Sequence, residues 1–208
     1  MLGRFLKVMI FVVGLFWGAA GWCEKTHFYE ISNFKINEVD ISPDRTMMIT
    51  ASDSMKMIVW NFTSLAPLFI LTCTVTVQSA KFSKDGTLIA VAQGHNSVNV
   101  IQVSTFTSVQ NITSGVSTIN EVDFSWDNTK LLVCGQNGIE VWNVGGTWSN
   151  NGSSSSGQYT SCKFQKNNNY FGGDNTGKNT IFNANTNTVL WSDQKTGPSL
   201  SVDFDMVN

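Results

Sequence analysis

The chain has 208 residues, 42% of them hydrophobic, which is enough for one domain with a buried core. Only 13% of the residues are charged and the formal net charge is −2, so the surface is polar but weakly charged. Because acidic and basic residues are scattered, there is no basic stripe to neutralise phosphates, and the composition argues against nucleic acid as a partner.

The first 23 residues have the layout of a secretory signal peptide. Arg4 and Lys7 precede an uncharged run over residues 8–23. This run is shorter than the roughly 18 residues that cross a bilayer, so we expect cleavage rather than anchoring. The sequence predicts that residues 24–208 are secreted or lie in the lumen of the secretory pathway, with no membrane span after cleavage. The alternative is an uncleaved signal anchor that tethers the chain to a membrane.

From residue 36 onward the sequence repeats with a period of 40 to 42 residues. Each copy begins with apolar residues two positions apart, a pattern that predicts a strand with one buried face. The segments are 39–44, 80–85, 122–127 and, less faithfully, 162–167, and residues 202–204 open a fifth copy. Asp, Asn and Gly follow each strand and predict a hairpin turn.

A second signature ends the third strand of each copy. There a bulky residue precedes an amide side chain, and the bulky residues are Trp60, Ile101, Trp142 and Phe182. With a second strand and an outer strand, each copy has four strands. The copies start near residues 36, 77, 119, 159 and 200, so the sequence predicts four complete copies and an incomplete fifth.

These segments resemble WD40 repeats. The resemblance rests on the turns that contain Asp44, Asp85 and Asp127 and on the Val-Trp-Asn tripeptides at Trp60 and Trp142. It covers residues 27–206 and implies an all-β β-propeller of about four WD40-like blades plus an incomplete fifth. The chain departs from the family pattern in lacking the Gly-His dipeptide and in having Asn or Gln where the family has the Asp of Trp-Asp.

The ends of the repeat region predict an unclosed ring. Residues 28–31 lie 41 residues before the outer strand of the first copy and look like a stray outer strand. An open blade edge exposes unpaired backbone groups, so we expect strand addition or self-association there. A shortened chain and a partner that supplies the remaining blades are alternatives.

The cysteines and histidines predict neither a disulfide framework nor a metal site. Cys23 leaves with the signal, and Cys73, Cys134 and Cys162 then form an odd set, which we interpret as small core residues. No C-x-x-C pair exists and only two histidines are present, so we expect no metal and no cofactor.

No catalytic set emerges from the sequence. Residues 172–179 nearly match a P-loop but lack the hydroxyl after the lysine, and the repeat places a strand hairpin there. His95 lies in a turn, and a turn histidine without a positioned neighbour is not a general base. Asp40, Asp123 and Asp203 recur at one repeat position, where they hold loops or face the other side of the blade. The alternative is a carboxylate cluster for glycoside or metal chemistry.

Three sequons offer candidate glycosylation sites, at Asn61, Asn111 and Asn151. We expect Asn151 to be the most exposed, because it lies in a Gly-, Ser- and Asn-rich stretch over residues 145–157. That stretch predicts a flexible loop replacing much of the third copy's outer strand. Trp148, within it, either caps the blade or belongs to a binding surface.

The predicted function is a non-catalytic protein–protein interaction scaffold, because a rigid repeat framework occurs without convergent catalytic residues. The expected partners are proteins. The alternative function is a secreted propeller glycan-binding protein or hydrolase that uses the recurrent aspartates.

Overall fold

The computed structural model describes residues 34–154 and 157–199. These residues form sixteen strands in four antiparallel four-stranded sheets, each an up-and-down meander in chain order. The all-β fold of four-stranded copies is therefore confirmed. The signal segment, residues 28–31 and the fifth copy lie outside the described residues.

Each sheet is one blade, numbered 1 to 4 along the chain. Blade 1 contains β1 Ile36–Ile41, β2 Met47–Ser52, β3 Lys56–Asn61 and β4 Pro67–Thr72. Blade 2 contains β5 Val77–Phe82, β6 Leu88–Gln93, β7 Ser97–Gln102 and β8 Thr107–Thr113. Blade 3 contains β9 Thr118–Phe124, β10 Lys130–Gln136, β11 Gly138–Asn143 and β12 Ser149–Ser154. Blade 4 contains β13 Tyr159–Phe164, β14 Tyr170–Asp174, β15 Lys178–Phe182 and β16 Val189–Gln194.

The blades stack face to face, and this stacking sets the hydrophobic pattern. A strand covered on both faces reads as a continuous apolar run, and the second strands β6 and β10 are such runs. Buried apolar clusters fill the space between blades 1 and 2, blades 2 and 3, and blades 3 and 4. The outer strands alternate between covered and exposed residues, as in Leu68, Phe69 and Ile70 of β4.

A side-chain clamp holds the turn between the first and second strands of blades 1 to 3. In blade 3, Asp127 Oδ1 accepts hydrogen bonds from Ser125 Oγ, Thr129 N and Thr129 Oγ1 at 2.7–3.0 Å. Asp44 and Asp85 hold the equivalent groups in blades 1 and 2. These bonds replace the backbone pairing that a turn cannot make, so the repeated Ser-x-Asp-x-Thr pattern specifies the turn.

One turn position adopts the left-handed backbone conformation in every blade. Its residues have φ between +58° and +74° and are Arg45, Gly86, Asn128 and Asn168. Gly and Asn tolerate this region at low cost, whereas Arg45 adopts it against steric preference. The shared conformation shows that the four turns are structurally equivalent.

Three expectations from the sequence need correction. Cys134 and Cys162 are core residues, but they form a disulfide that joins β10 to β13 across 28 residues. The third blade has a complete outer strand, because Ser149–Ser154 pairs with β11 through main-chain bonds that need no apolar side chains. Asn151 is only partly exposed, whereas Asn111 on β8 is exposed.

Other expectations are confirmed. Residues 172–179 lie in the antiparallel pair of β14 and β15, as predicted for a hairpin. His95 lies in the exposed turn between β6 and β7. Trp148 is partly buried and packs against the apolar cluster between blades 2 and 3.

Candidate functional site

Two of the recurrent aspartates tie blade 1 to blade 2 and blade 3 to blade 4. Asp40 Oδ2 accepts a hydrogen bond from Phe82 N at 2.9 Å, and Asp123 Oδ2 accepts one from Phe164 N at 2.8 Å. In both cases the amide belongs to the inner strand of the following blade. Hydrogen bonds from backbone amides to a carboxylate are strong, so the aspartate at this repeat position has a structural role. Asp203 lies outside the described residues.

Ion pairs add to these links along the inner strands. Lys81 Nζ contacts Glu38 Oε1 and lies 4.0 Å from Asp40 Oδ1, between blades 1 and 2. Lys163 Nζ lies 3.6 Å from Glu121 Oε1, between blades 3 and 4. Burial by itself would lower the pKa of Lys81, but Glu38 and Asp40 outweigh it, and the pKa is raised.

The pKa of Glu121 is also raised, but in a carboxyl this shift disfavours the charged form, whereas in Lys81 it favours it. Burial and the charge of Glu38 raise the pKa of this carboxyl, against the lowering effects of Lys163 and Ser161. Its Oε2 accepts hydrogen bonds from Ser161 Oγ at 2.7 Å and Cys162 N at 2.9 Å. The inner-strand charges therefore act between blades.

The sequence did not predict a buried carboxylate in blade 3. Glu140 is 7% exposed, and its oxygens accept hydrogen bonds from Ser114 Oγ, Gly115 N and Trp142 Nε1 at 2.6–2.9 Å. Asp53, which follows β2 in blade 1, is exposed. Glu140 occurs in a single copy, so the repeat pattern offered no signal for it.

The bulky residues that end the third strands help to hold the blades together. Trp60 is buried and donates from Nε1 to Thr50 Oγ1 at 3.0 Å, so its one polar atom is paired. Ile101 and Phe182 lie at 1% and 3% exposure in the clusters between blades. None of these side chains is available to a ligand.

An open cleft lies between blades 1 and 2, on the face that carries the turns between second and third strands. It has a volume of about 360 Å³. Its lining residues come from the β2–β3 turn, the segment from β4 into β5, and the β6–β7 turn: Asp53, Met55, Val75, Thr76, Gln78, Gly94 and His95.

Close backbone contact shapes one wall of the cleft. Gly94 N donates to Thr76 O at 2.7 Å, and a Cβ on Gly94 would lie 3.1 Å from that oxygen. Glycine lets the β6–β7 turn approach the β4–β5 segment this closely. The approach leaves the side chain of His95 exposed at the cleft.

Met55 is the unusual residue of the cleft. It is 45% exposed and adopts φ +61°, a conformation that costs a non-glycine residue free energy. Next to it, Asn37 Nδ2 donates to Asp53 Oδ1 at 2.7 Å and to Val77 O at 2.9 Å. Within the described part of the chain, Asn37 Oδ1 is a buried side-chain oxygen without a hydrogen-bond partner. A strained, exposed apolar side chain thus lines the cleft.

The three sequons lie at different sites. Asn111 is exposed on the outer strand β8. Asn61 Oδ1 accepts hydrogen bonds from Thr63 N and Ser64 N in the turn after β3. Asn151 Nδ2 donates to Ala184 O of blade 4 at 3.3 Å. Asn111 is therefore the most accessible of the three.

Residues 34–154 and 157–199 contain neither a group of metal ligands nor a long apolar helix. No three His, Cys, Asp or Glu side chains there are placed to hold a metal ion together. No helix in these ranges has the length and apolarity needed to cross a membrane.

The stacked four-stranded meanders define the chain as a β-propeller protein. Residues 23–61 match the model of the family described as WD domain, G-beta repeat. The other blades have the same strand order, and their inner strands and first turns follow the pattern of the matched copy.

Two solved structures are similar to this chain. The β-propeller domain of Myceliophteria thermophila Cps50 (Swd1) is similar with a TM-score of 0.72 at 10% identity, over 80% of this chain and 58% of that one. Kuenenia stuttgartiensis hydrazine synthase is similar with a TM-score of 0.68 at 14% identity, over 80% of this chain and 52% of that one. The chain thus spans somewhat more than half the length of these structures, and at such identities the likeness shows the fold alone.

Proposed function

We propose that this chain is a non-catalytic protein-interaction scaffold and that a partner protein binds the cleft between blades 1 and 2. WD40 domains commonly bind proteins, which supports the proposal at the level of the fold. The observation that carries it is Met55, held exposed in a left-handed turn at the cleft.

The form of the cleft favours a macromolecular partner. Small-molecule sites enclose most of their ligand, whereas this cleft is open to solvent. A flexible thioether adapts to irregular apolar surfaces, as Met residues do at many binding surfaces. A loop from a partner would cover Met55, with Asp53 and His95 at the rim.

The alternative, glycan binding or hydrolysis through the recurrent aspartates, has no observation in its favour. Asp40 and Asp123 are engaged by backbone amides of the next blade. The position common to both is therefore explained by blade packing.

Substitution of Met55 tests the binding site. Met55→Ser removes apolar surface that the partner would bury, and we expect affinity to fall about tenfold or more, because a buried Met contributes roughly 1.5–3 kcal/mol. Tagged protein would be used to co-purify partners for quantitative mass spectrometry, and binding to each would then be measured directly.

Val109→Ser is the matched control, because Val109 is 47% exposed on the outer strand β8, compared with 45% for Met55. Equal retention of partners by both variants would place the binding site elsewhere. A tight small-molecule ligand without any protein partner would contradict the scaffold function itself.

We further propose that the mature chain begins near residue 24 and acts in the secretory pathway or outside the cell. The signal layout of residues 1–23 motivates this, and the Cys134–Cys162 disulfide supports it, because disulfides persist in oxidising compartments. Exposed Asn111 is the sequon most accessible to a eukaryotic glycosylation enzyme.

The intact mass of protein recovered from a secreting eukaryotic host tests both points. Cleavage gives a mass without residues 1–23, and a glycan gives an added mass that is lost in Asn111→Gln. Recovery of the full 208-residue mass from the cell interior would contradict the proposed location.

A further inference from the structure

The residue that precedes the third strand of a blade is apolar in blade 1 alone among the four described blades. It is Met55 in blade 1, and Asn96, Asn137 and Gly177 in blades 2 to 4. Met55, Asn137 and Gly177 adopt φ between +61° and +90°. Asn and Gly tolerate this left-handed region, whereas it costs a methionine free energy. The conformation of the turn therefore does not account for the methionine.

Hydrogen bonds hold this turn in place and keep Met55 at the surface. Cys73 N donates to Met55 O at 2.8 Å. Ser52 Oγ donates to Lys56 O at 3.0 Å and lies 2.6 Å from Ser54 Oγ. Because the main chain is bonded on both sides of Met55, its side chain cannot enter the core unless these bonds break. The thioether thus stays 45% exposed at the open cleft.

The other methionines of blade 1 are much less accessible. Met57, two residues further along the chain, is fully buried, and Met48 is 4% exposed. Met47 is partly buried against the cluster between blades 1 and 2. Oxidation of methionine depends on access to its sulfur, so an oxidant in solution reaches Met55 before these three.

The cysteines of residues 34–154 and 157–199 compete poorly for the same oxidant. Cys134 and Cys162 are buried and already joined in a disulfide. Cys73 is half-buried, and burial raises the pKa of its thiol. The thiolate is the reactive form of cysteine, so this shift slows the reaction of Cys73. Met55 is therefore the sulfur-bearing side chain that is open to oxidation in this part of the chain.

We propose that Met55 is a site of oxidation by hydroperoxides and that its oxidation closes the cleft to the protein partner. One oxygen of the peroxide is transferred to the thioether sulfur. The O–O bond breaks, an S–O bond forms, the sulfur is oxidised by two electrons, and the peroxide leaves as water or an alcohol. The resulting sulfoxide is polar, so burying it against apolar partner surface is unfavourable. The effect on binding rests on the proposed function of the cleft, whereas the modification does not.

The fold accommodates a polar group at this position. Asn96 and Asn137 occupy the equivalent place in blades 2 and 3, and the main-chain bond from Ser114 N to Asn96 O, at 2.8 Å, matches that from Cys73 N to Met55 O. Oxidation of Met55 therefore changes the surface of the cleft and leaves the blade folded. Oxidation of the buried Met57 would instead disrupt the core.

Peptide mapping of the purified protein after timed exposure to hydrogen peroxide tests the modification. We expect Met55 to gain one oxygen at least about tenfold faster than Met48 and Met57 in the folded protein, and all three to react alike in urea. The thermal melt of the product oxidised at Met55 should match that of untreated protein. Equal rates in the folded protein, or unfolding on oxidation of Met55, overturns the proposal.

Partner binding before and after peroxide treatment tests the regulation. Affinity of the wild type should fall about tenfold or more on oxidation, as for loss of a buried methionine. Met55→Leu is the matched variant, because leucine is apolar and has no sulfur, and it should bind before and after treatment. Unchanged binding of fully oxidised wild type overturns the regulation. An equal loss in Met55→Leu would assign the sensitivity to another residue and overturns it as well.

The two tests separate this proposal from the scaffold function. Peptide mapping needs no partner and decides the modification by itself. If the untreated protein retains no partner, the scaffold function fails, and the regulation of binding fails with it. If the untreated protein retains a partner and oxidation at Met55 has no effect, the scaffold stands and the regulation alone is overturned.

Discussion

At the scale of single residues, the molecule uses one acidic position three times for one task. Asp44, Asp85 and Asp127 each fasten a turn by accepting hydrogen bonds from a serine two residues before and a threonine two residues after. The Ser42 hydroxyl is the main cause of the lowered pKa of Asp44. At Asp85 and Asp127 partial burial would raise the pKa, but the Ser and Thr hydrogen bonds outweigh it and lower it.

These lowered values predict acid sensitivity of the turns. A carboxyl with a folded pKa below its unfolded value of about 4 stabilises the fold above that pH and loses its contribution as pH falls through the folded pKa. Glu121, with a raised pKa, acts oppositely and favours the folded state at low pH. Urea unfolding of the triple Asp→Asn variant between about pH 2 and 6 should show a flatter acid limb than the wild type. Equal slopes would contradict the clamp.

The turns could be predicted from the sequence because their hydrogen bonds are local. Single contacts between blades could not be predicted in this way. Asp44, Asp85 and Asp127 and their partners lie within five residues, so a repeated sequence motif reports them. Glu140 binds Ser114 from 26 residues away and in one blade only. Its role depends on where the β8–β9 segment packs, and no local pattern encodes that.

At the scale of strands and blades, one covalent link supplements the noncovalent packing. Cys134 on β10 and Cys162 on β13 are both fully buried, with Cα atoms 6.3 Å apart, within the usual range for a disulfide. The repeat predicted that both side chains lie in the core. Their pairing was missed because an odd cysteine count pointed away from disulfides, and because the partners belong to consecutive blades.

Removal of the disulfide should weaken the junction of blades 3 and 4. Cys134→Ala with Cys162→Ala frees a 28-residue loop in the unfolded chain, and we expect a loss of about 3–4 kcal/mol in the free energy of unfolding. Thermal melts under oxidising and reducing conditions measure this. Cys73→Ala, at a free cysteine, is the control. A wild type that melts alike with and without reductant would argue against the bond.

At the scale of the whole molecule, the sparse charges concentrate where blades meet. Only 13% of the residues are charged, yet each of the three described junctions between blades contains a lysine–carboxylate pair. The sequence predicted the repeated apolar core and the blade order, because both follow from periodicity. It did not predict the pairs, because Glu38 and Lys81 are 43 residues apart and only the stacked blades bring them together.

Lys81→Met tests whether this charge pattern stabilises the stack. The substitution leaves Glu38 and Asp40 without their cation in a mostly buried site, and breaking such a pair costs about 3–5 kcal/mol. Denaturant unfolding should show this loss, and Lys178→Met should not. Adding Glu38→Met should restore part of the stability, since the uncompensated charge is then removed. No recovery in the double variant would mean that Lys81 acts through packing alone.

The charge of the inner strands alternates from one blade to the next, and this restricts how many blades can be added or removed. An acidic inner strand is followed by a lysine-bearing one, and a lysine-bearing strand by an acidic one, throughout blades 1 to 4. Deleting one internal blade would bring two strands of the same kind together, acid against acid or lysine against lysine, and like charges at a junction repel. Deleting or duplicating two consecutive blades preserves the order of charges at every junction, so we expect variants that differ by about 83 residues, the spacing of the two Asn-Glu-Val-Asp segments, to keep their lysine–carboxylate pairs.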